Sequence, residues 1–598
     1  MRSGAPTQRT TVTTLLSAVV LVGCSAGAPK STPAPGPSAG GSTAGPRAGG
    51  TLRVVVPAGP TGLGHLDPAL AGTPAERELL SVTSRQLVAY PSSESLAARQ
   101  DPVADVSLFP DPSDDKTSYS FRLRDVRWPA PIDRAVRATD VIYGVKRLCW
   151  PGRPSPALPL LERDIVGLTD FCAGLAAAAP TGQPGQVRSW LDSHEIAGLR
   201  ARDVTTVTIA VQHPVGDFLN TLALPEVAPL PEEAVGDDVP DSPSLRAHLP
   251  ALGPYRYPVA GSGADAGALV LERNPAWQPE TDPLRRAYPD HIVVRTVSDA
   301  AAAAGEVTAG RADLVLGGLD PQVVARAVAH PATDPMVRAT AQASLAYLLV
   351  AAPTNTCGRA FADERLRRAL GLGLDRGALA AADGAPLLAR PAGGLLPPGV
   401  LGSDGATSRP ADPFATPGQG GDPAVARSLL AAARPAVRAS RPLRCTLSIT
   451  APELAPLARA LIGQAATLGI RLEQVGSSRR GDLTLRRFTA PWHGNAARGL
   501  LASLLVRCAK PGCYAGPPGS TEASSAATAA VEEAQAENDP NIAAARWADA
   551  AALVLATAPV VPLVTGRRLS LAGQRVSAFR WSNLSGDADL ATVAVRAR

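Results

Sequence analysis

Lysine is nearly absent from this 598-residue chain: of its 58 basic side chains, only Lys30, Lys116, Lys146 and Lys510 are not arginine. With the excess of alanine, this marks a GC-rich genome rather than a special chemistry. Aromatic residues make up only 4% of the chain, little for a surface that must grip varied side chains. The net charge of +5 is mild for this length and no basic stripe interleaves with aromatics, so nucleic acid is not an expected partner. Past residue 23 no run is long and apolar enough for a transmembrane helix. A P-loop, a Gly-x-Ser-x-Gly elbow, an HExxH pair and a CxxC pair are all missing, and the seven histidines (65, 194, 213, 248, 291, 330 and 493) show no ligand spacing. Ser113 to Lys116 matches a serine-xx-lysine pattern, but it lies in a polar turn and no Lys-Thr-Gly follows. The chain is therefore expected to be neither an enzyme nor a metal or cofactor protein.

What is present begins at the N-terminus. Arg2 and Arg9 precede a short apolar run, Leu15 to Gly23, too short to span a bilayer. It ends in Leu21-Val22-Gly23-Cys24, the pattern of a lipoprotein signal, so residues 1–23 are read as a signal peptide and Cys24 as the lipid-bearing residue. That places the rest at the outer face of the cell membrane, lipid-anchored, after Sec-type export. Residues 24–50 continue as Ala, Gly, Pro, Ser and Thr, a flexible linker. About 25 such residues have an r.m.s. reach of roughly 28 Å. Outside the cytoplasm six further cysteines favour disulfides. Proximity pairs Cys149 with Cys172 and Cys508 with Cys513, leaving Cys357 with Cys445, one of about 15 possible connectivities.

The folded part reads as α/β layers. Leu52 to Val56 is a buried strand closed by Pro57. Ser298 or Asp299 caps an alanine-rich helix that Gly310 ends, and Leu314 to Leu316 follows as a strand. Leu454, Leu457, Leu461, Ala465 and Leu468 line one helical face, Gly469 supplies a left-handed stop, and Ile470 to Leu472 alternates as a strand. Asp422-Pro423 opens another helix with proline at its first position. Asp363 to Arg376 reads as an amphipathic helix with Leu366, Leu370 and Leu374 inward and its arginines outward.

Several blocks, in order, resemble extracellular solute-binding proteins of family 5, the dipeptide- and oligopeptide-binding components of ABC importers. They are Gly49-Gly50-Thr51-Leu52-Arg53-Val54 with Leu66-Asp67-Pro68-Ala69, Tyr119 to Asp125 with Arg127-Trp128 and Ala138 to Val141, then Gly253-Pro254-Tyr255 and Leu271 to Trp277. Gly305 to Val307 with Gly310 to Asp313, Asp363 to Arg376, Leu396 to Gly399 and Ala558 to Leu563 complete the series. Each is weak alone; their order over about 500 residues is specific.

The resemblance implies a two-lobe periplasmic-binding-protein type II fold with an extra subdomain in lobe I. Lobe I would be residues 51–297 with the C-terminal return 565–598, lobe II residues 298–564, and the subdomain would fall within residues 90–235. It implies a monomer that encloses a small solute, possibly an oligopeptide in kind, and delivers it to an ABC permease. Gly64 and His65, in a loop that borders the cleft in the family, are candidate ligand residues. Peptide binders of the family carry an aspartate after a lobe II strand to pair with the ligand's amino terminus. The matching stretch, Asp482 to His493, has none after the strand, and offers Arg486, Arg487, Trp492 and His493 instead. Arg486, Arg487 and His493 suit an anionic or acceptor-rich ligand and Trp492 a stacking role, although alternation along the strand also allows the arginines to face solvent. The asparagine often found after the Tyr347 to Leu349 strand is replaced by Val350-Ala351-Ala352, with Asn355 a few residues on. These departures admit an alternative: a repurposed scaffold acting as a regulatory or interaction lipoprotein of the cell envelope.

Overall fold

The computed structural model describes residues 46–596 apart from 58–62, 97–100, 237, 259–267, 320–322, 325, 327–335, 351–355, 406–410, 434–441, 477–478, 480, 506–520 and 557–558. The signal segment, Cys24, most of the linker, Asn355 and the Cys508–Cys513 pair lie outside those residues.

Eleven strands form one sheet. In chain order they are β1 (Thr51–Pro57), β2 (Tyr255–Arg256), β3 (Ala268–Arg273), β4 (His291–Val297), β5 (Leu314–Val315), β6 (Met336–Val350), β7 (Ala389–Pro391), β8 (Leu443–Ile449), β9 (Ile470–Gln474), β10 (Leu483–Thr489) and β11 (Val560–Ala572). The spatial order is β9-β8-β10-β6-β11-β5-β1-β4-β3-β2, with β7 beside β11. β6 and β11, 15 and 13 residues long, pair antiparallel at the centre and carry the sheet from one half to the other. On one flank β1 lies parallel to β4 and β5; on the other β8 lies parallel to β9 and β10. Buried Leu52, Val54 and Val56 alternate along β1, with Val55 buried on the opposite face.

Helices cover the sheet, several of them where the sequence places them. α1 (Pro74–Thr83) starts with a Thr73/Glu76 capping box. α2 (Ala300–Thr308) is capped by Asp299. α5 (Pro423–Ala432) is capped by Asp422 and α6 (Ala455–Thr467) runs into Gly469 at φ +79° before β9. The stretch from Asp363 to Arg376 departs from expectation. Leu366, Leu370 and Leu374 are buried, but the helix ends as α3 (Glu364–Gly373), and Asp375 caps a second helix, α4 (Arg376–Ala382). Arg367 and Arg376 turn inward: Arg367 Nη1 donates to the Phe361 and Ala362 carbonyls, and Arg376 pairs with Asp412. Periodicity missed this because carbonyls just before α3 and a carboxylate from a distant loop satisfy the two guanidiniums inside.

A separate four-stranded antiparallel sheet runs Asp111–Pro112, Ser118–Arg122, Thr206–Ala210, Leu199–Ala201. Helices between residues 138 and 193 pack on it around Phe121, Trp128, Leu161 and Ile209. The Cys149–Cys172 disulfide lies here, and Cys357–Cys445 ties residue 357 to β8, so two of the three expected pairings are present. α7 (Ala497–Leu505) docks this region through Arg498, whose guanidinium spans Asp164 (2.7 and 2.8 Å) and Asp217 (2.9 Å).

Candidate functional site

The family-like blocks turn out to be buried polar knots. Asp67 accepts the Ala69 and Asp241 amides and pairs with buried Arg147 at 2.8 Å. Asp313 accepts the Arg53 amide and both Arg53 and Arg575 guanidiniums, clamping β1, β5 and the C-terminal segment together. Asn274 Nδ2 donates to the Ala251 and Gly253 carbonyls. These residues hold the frame and line neither of the cavities described next.

Open space lies beside the crossing strands, in two cavities with wall residues in common. A cavity of about 1100 Å³ is walled by the end of β1, the loop at Leu63 to His65, the start of α1 and residues 152–156. A second, of about 1080 Å³, is walled by the end of α4, the loop to Leu388, the start of α6 and the end of β10. Gly318 and Arg568 belong to both walls. Arg568 is fixed by Asp587 through Nε at 2.8 Å and Nη2 at 2.6 Å, and Asp587 also accepts the Gly317 amide at 3.0 Å.

Of the expected ligand residues, Gly64 and His65 line the first cavity. Gly64 is glycine because a Cβ would stand 2.9 Å from Glu76 Oε1, which accepts the His65 amide at 2.9 Å. Glu76 Oε2 accepts the Gly72 and Thr73 amides, so one carboxylate pins the whole loop. His65 Nδ1 is 3.0 Å from Asp241, which also pairs with Arg246.

Arg487 lines the second cavity, where Nη2 donates to both oxygens of Asp383 at 2.6 and 2.7 Å. Burial holds the Asp383 carboxyl above its ordinary range in spite of that partner. Asp383 follows α4, 104 residues from Arg487 in sequence, and nothing in the local pattern announces it. Arg486 faces Tyr347 across the β6 register and belongs to neither cavity wall.

Trp492 and His493 are packed inside the protein, outside both cavity walls. Trp492 Nε1 donates to the Asn495 carbonyl at 2.8 Å, so its ring is core and not a stacking platform. His493 Nε2 accepts the Ala343 amide at 3.1 Å and Nδ1 lies 3.2 Å from the Asn583 carbonyl. That pair fixes a neutral ring with its proton on Nδ1. Burial, with the Arg568 charge nearby, lowers its pKa to about 4, although the Asn583 and Ala341 carbonyls pull the other way.

Among the described residues no aromatic side chain lines either cavity, no three His, Cys, Asp or Glu residues are placed to hold a metal ion, and no helix is long and apolar enough to cross a membrane. Two α/β halves joined by a pair of crossing strands, with open space beside the crossing, define a two-lobed binding protein. The chain belongs to the bacterial extracellular solute-binding proteins, family 5, whose middle-region model matches residues 94–488. No curated protein sequence matches it. Among solved structures it is similar to clavulanic acid biosynthesis oligopeptide binding protein 2 (22% identity, TM-score 0.74, covering 92% of this chain and 96% of that one). It is also similar to the periplasmic binding protein DppA from Helicobacter pylori in complex with the peptide STSA (16%, TM-score 0.62, 92% and 99%). A third is MoaA from A. tumefaciens in complex with mannopinic acid (20%, TM-score 0.61, 92% and 100%). Family and fold are those of substrate-binding proteins, which are not enzymes.

Proposed function

We propose that this chain is the lipid-anchored receptor of an ABC importer, which takes a peptide or related small solute between its lobes and hands it to a membrane permease. The observation that carries this reading is the pair of cavities meeting at Gly318 and Arg568, beside strands that belong to both halves of the sheet. Family membership supports it, as do similar folds that hold a peptide and mannopinic acid. In this reading residues 1–23 direct export, Cys24 carries the lipid, and 25–50 tether a monomer to the outer face of the membrane. Lobe I comprises residues 51–297 and 565–598, with the small sheet as its inserted subdomain, and lobe II residues 298–564. Opening and closing of the lobes couples binding to permease recognition, and the partner ATPase supplies the work.

Native mass spectrometry of the mature protein, secreted with Cys24→Ala and never denatured, tests this. A discrete extra mass that disappears on unfolding is the expected result. A bare mass, unshifted by peptide, sugar and anion mixtures, would refute solute binding and favour a regulatory scaffold.

A further inference from the structure

The walls of the two cavities hold more cations than anions, and their carboxylates are nearly all engaged. Asp383 is taken by Arg487. Glu76 accepts three backbone amides at 2.9 to 3.0 Å. Asp241, behind His65, is taken by Arg246 and the Leu66 amide. Only Glu453 is left, exposed on the rim of the second cavity. The arginines are not all matched in this way. Arg568 has Asp587, but among the described residues neither Arg567, which donates Nη1 to the Pro386 carbonyl at 2.8 Å, nor Arg459 on the rim has a carboxylate partner. Burial and the neighbouring Arg390 guanidinium both disfavour the charge on Arg567. The first cavity is more apolar: Pro57, Leu63, Leu70 and Pro154 make much of its wall, and its Arg153 donates Nη1 to the Pro240 carbonyl at 2.8 Å.

We propose that this binding space selects an amphipathic anionic solute that carries no free ammonium group, with its acidic end facing Arg567 and Arg459 and its apolar part in the first cavity. The inference rests on the solute-receptor reading above and sharpens it. An ammonium group leaving water needs a free carboxylate, and here the enclosed ones are spent on structure. A carboxylate or other oxyanion entering the second cavity meets the Arg567 guanidinium, which presents forked donors and has no carboxylate partner among the described residues. Aromatic stacking contributes nothing, since no aromatic ring lines either described wall. Asp383 is what sets Arg487 apart from Arg567: it removes one guanidinium from the available set and leaves the other.

The test is a competition among three pools of tripeptides, read by native mass spectrometry and by titration. One pool is N-acetylated with a glutamate and a free C-terminus, one is N-acetylated, neutral and C-terminally amidated, and one has a free amine, a lysine and an amidated C-terminus. A hydrogen-bonded ion pair corresponds to about ten- to a hundredfold in affinity, so the acidic blocked pool is expected to be retained by at least that lower factor over the neutral one. Arg567→Gln should erase that preference, bringing retention of the acidic pool down to that of the neutral pool measured on the same variant. Arg459→Gln, on the exposed rim, gives the same readout should Arg567→Gln not fold. Equal retention of acidic and neutral pools, or preference for the free amine, overturns the anionic selection and leaves solute binding standing. Retention of no pool overturns the anionic selection, and the sugar and anion mixtures named above then decide whether solute binding stands.

Discussion

His493 offers a quantitative test of how the crossing strands are held. Pairing of β6 with β11 jumps in register between Ala341 and Leu345, and Ala343, inside that jump, donates its amide to His493 Nε2. A proton on Nε2 would destroy that acceptor and place a charge inside a buried site that already feels Arg568. The folded pKa of about 4 against an ordinary 6.5 sets the cost. A depressed folded pKa contributes stability that is present above the unfolded pKa and lost as pH falls through the folded one. The shift is worth about 3 kcal/mol in total, of which about 2 kcal/mol is lost between pH 7 and pH 5. Urea unfolding of the wild type and of His493→Ala at both pH values isolates the contribution, since every other titrating group is common to both. The variant is expected to be less stable at pH 7 by about 1–3 kcal/mol, for the stranded Ala343 amide, and to have the flatter pH response. Parallel pH profiles for the two proteins would refute the assignment of a neutral, hydrogen-bond-accepting His493.

Arg498→Met strands Asp164 and Asp217 in a buried site and should cost about 3–5 kcal/mol in urea unfolding, with much of it recovered by adding Asp164→Asn and Asp217→Asn; a cost below about 1 kcal/mol would show that the triad is not a coupled unit. Buried Glu78 is held well above the ordinary carboxyl range by burial and then by Asp589, which burial itself raises to about 6. Raised folded pKa values contribute stability that is complete below the unfolded value and is lost as pH rises through the folded one. Glu78→Gln should therefore lose less stability than the wild type between pH 5 and pH 7, and an unchanged slope would count against the coupling. Cys357–Cys445 closes a separation of 88 residues and Cys149–Cys172 one of 23, so Cys445→Ala should destabilise more than Cys172→Ala, about 4.6 against about 3.4 kcal/mol from loop closure alone, read by thermal unfolding without reductant.

The local signals were legible because local physics produced them. Capping residues Asp299 and Asp422, the Gly469 stop and the buried strand at Leu52 to Val56 lie where the sequence puts them. Two disulfides followed from proximity and remainder. The binding space was legible only in part. Gly64, His65 and Arg487 reach cavity walls, whereas Trp492 and His493, one and two residues beyond Pro491, serve the interior. The difference lies in partners that no local window contains: Asp383 for Arg487, Ala343 and Asn583 for His493, Asn495 for Trp492 within a core built from the rest of the chain. A histidine that plugs a strand irregularity and one that faces a ligand look alike in sequence. Only the register of β6 against β11 tells them apart.

That register also separates what can bend from what cannot. Gly318 and Arg568, the residues common to both cavities, adjoin a knot in which Asp587 holds the Arg568 guanidinium twice and the Gly317 amide once. Breaking it would strand a carboxylate with side-chain exposure of 1%. A few residues further along β6 the ladder to β11 is interrupted twice, between Ala341 and Leu345 and between Ala346 and Tyr347, and fewer bonds oppose a change of twist there. Movement of one half of the sheet against the other is therefore expected to concentrate at residues 341–347, with the floor at Arg568 fixed and the walls of the two cavities turning about it. Hydrogen exchange on the mature protein reads this directly. The amides of 342–346 should open more readily than those of Gly317 and Arg568, and a bound solute should slow the first group more than the second. Uniform protection along β6, unaffected by solute, would place the bend elsewhere and remove the mechanical role from the broken ladder.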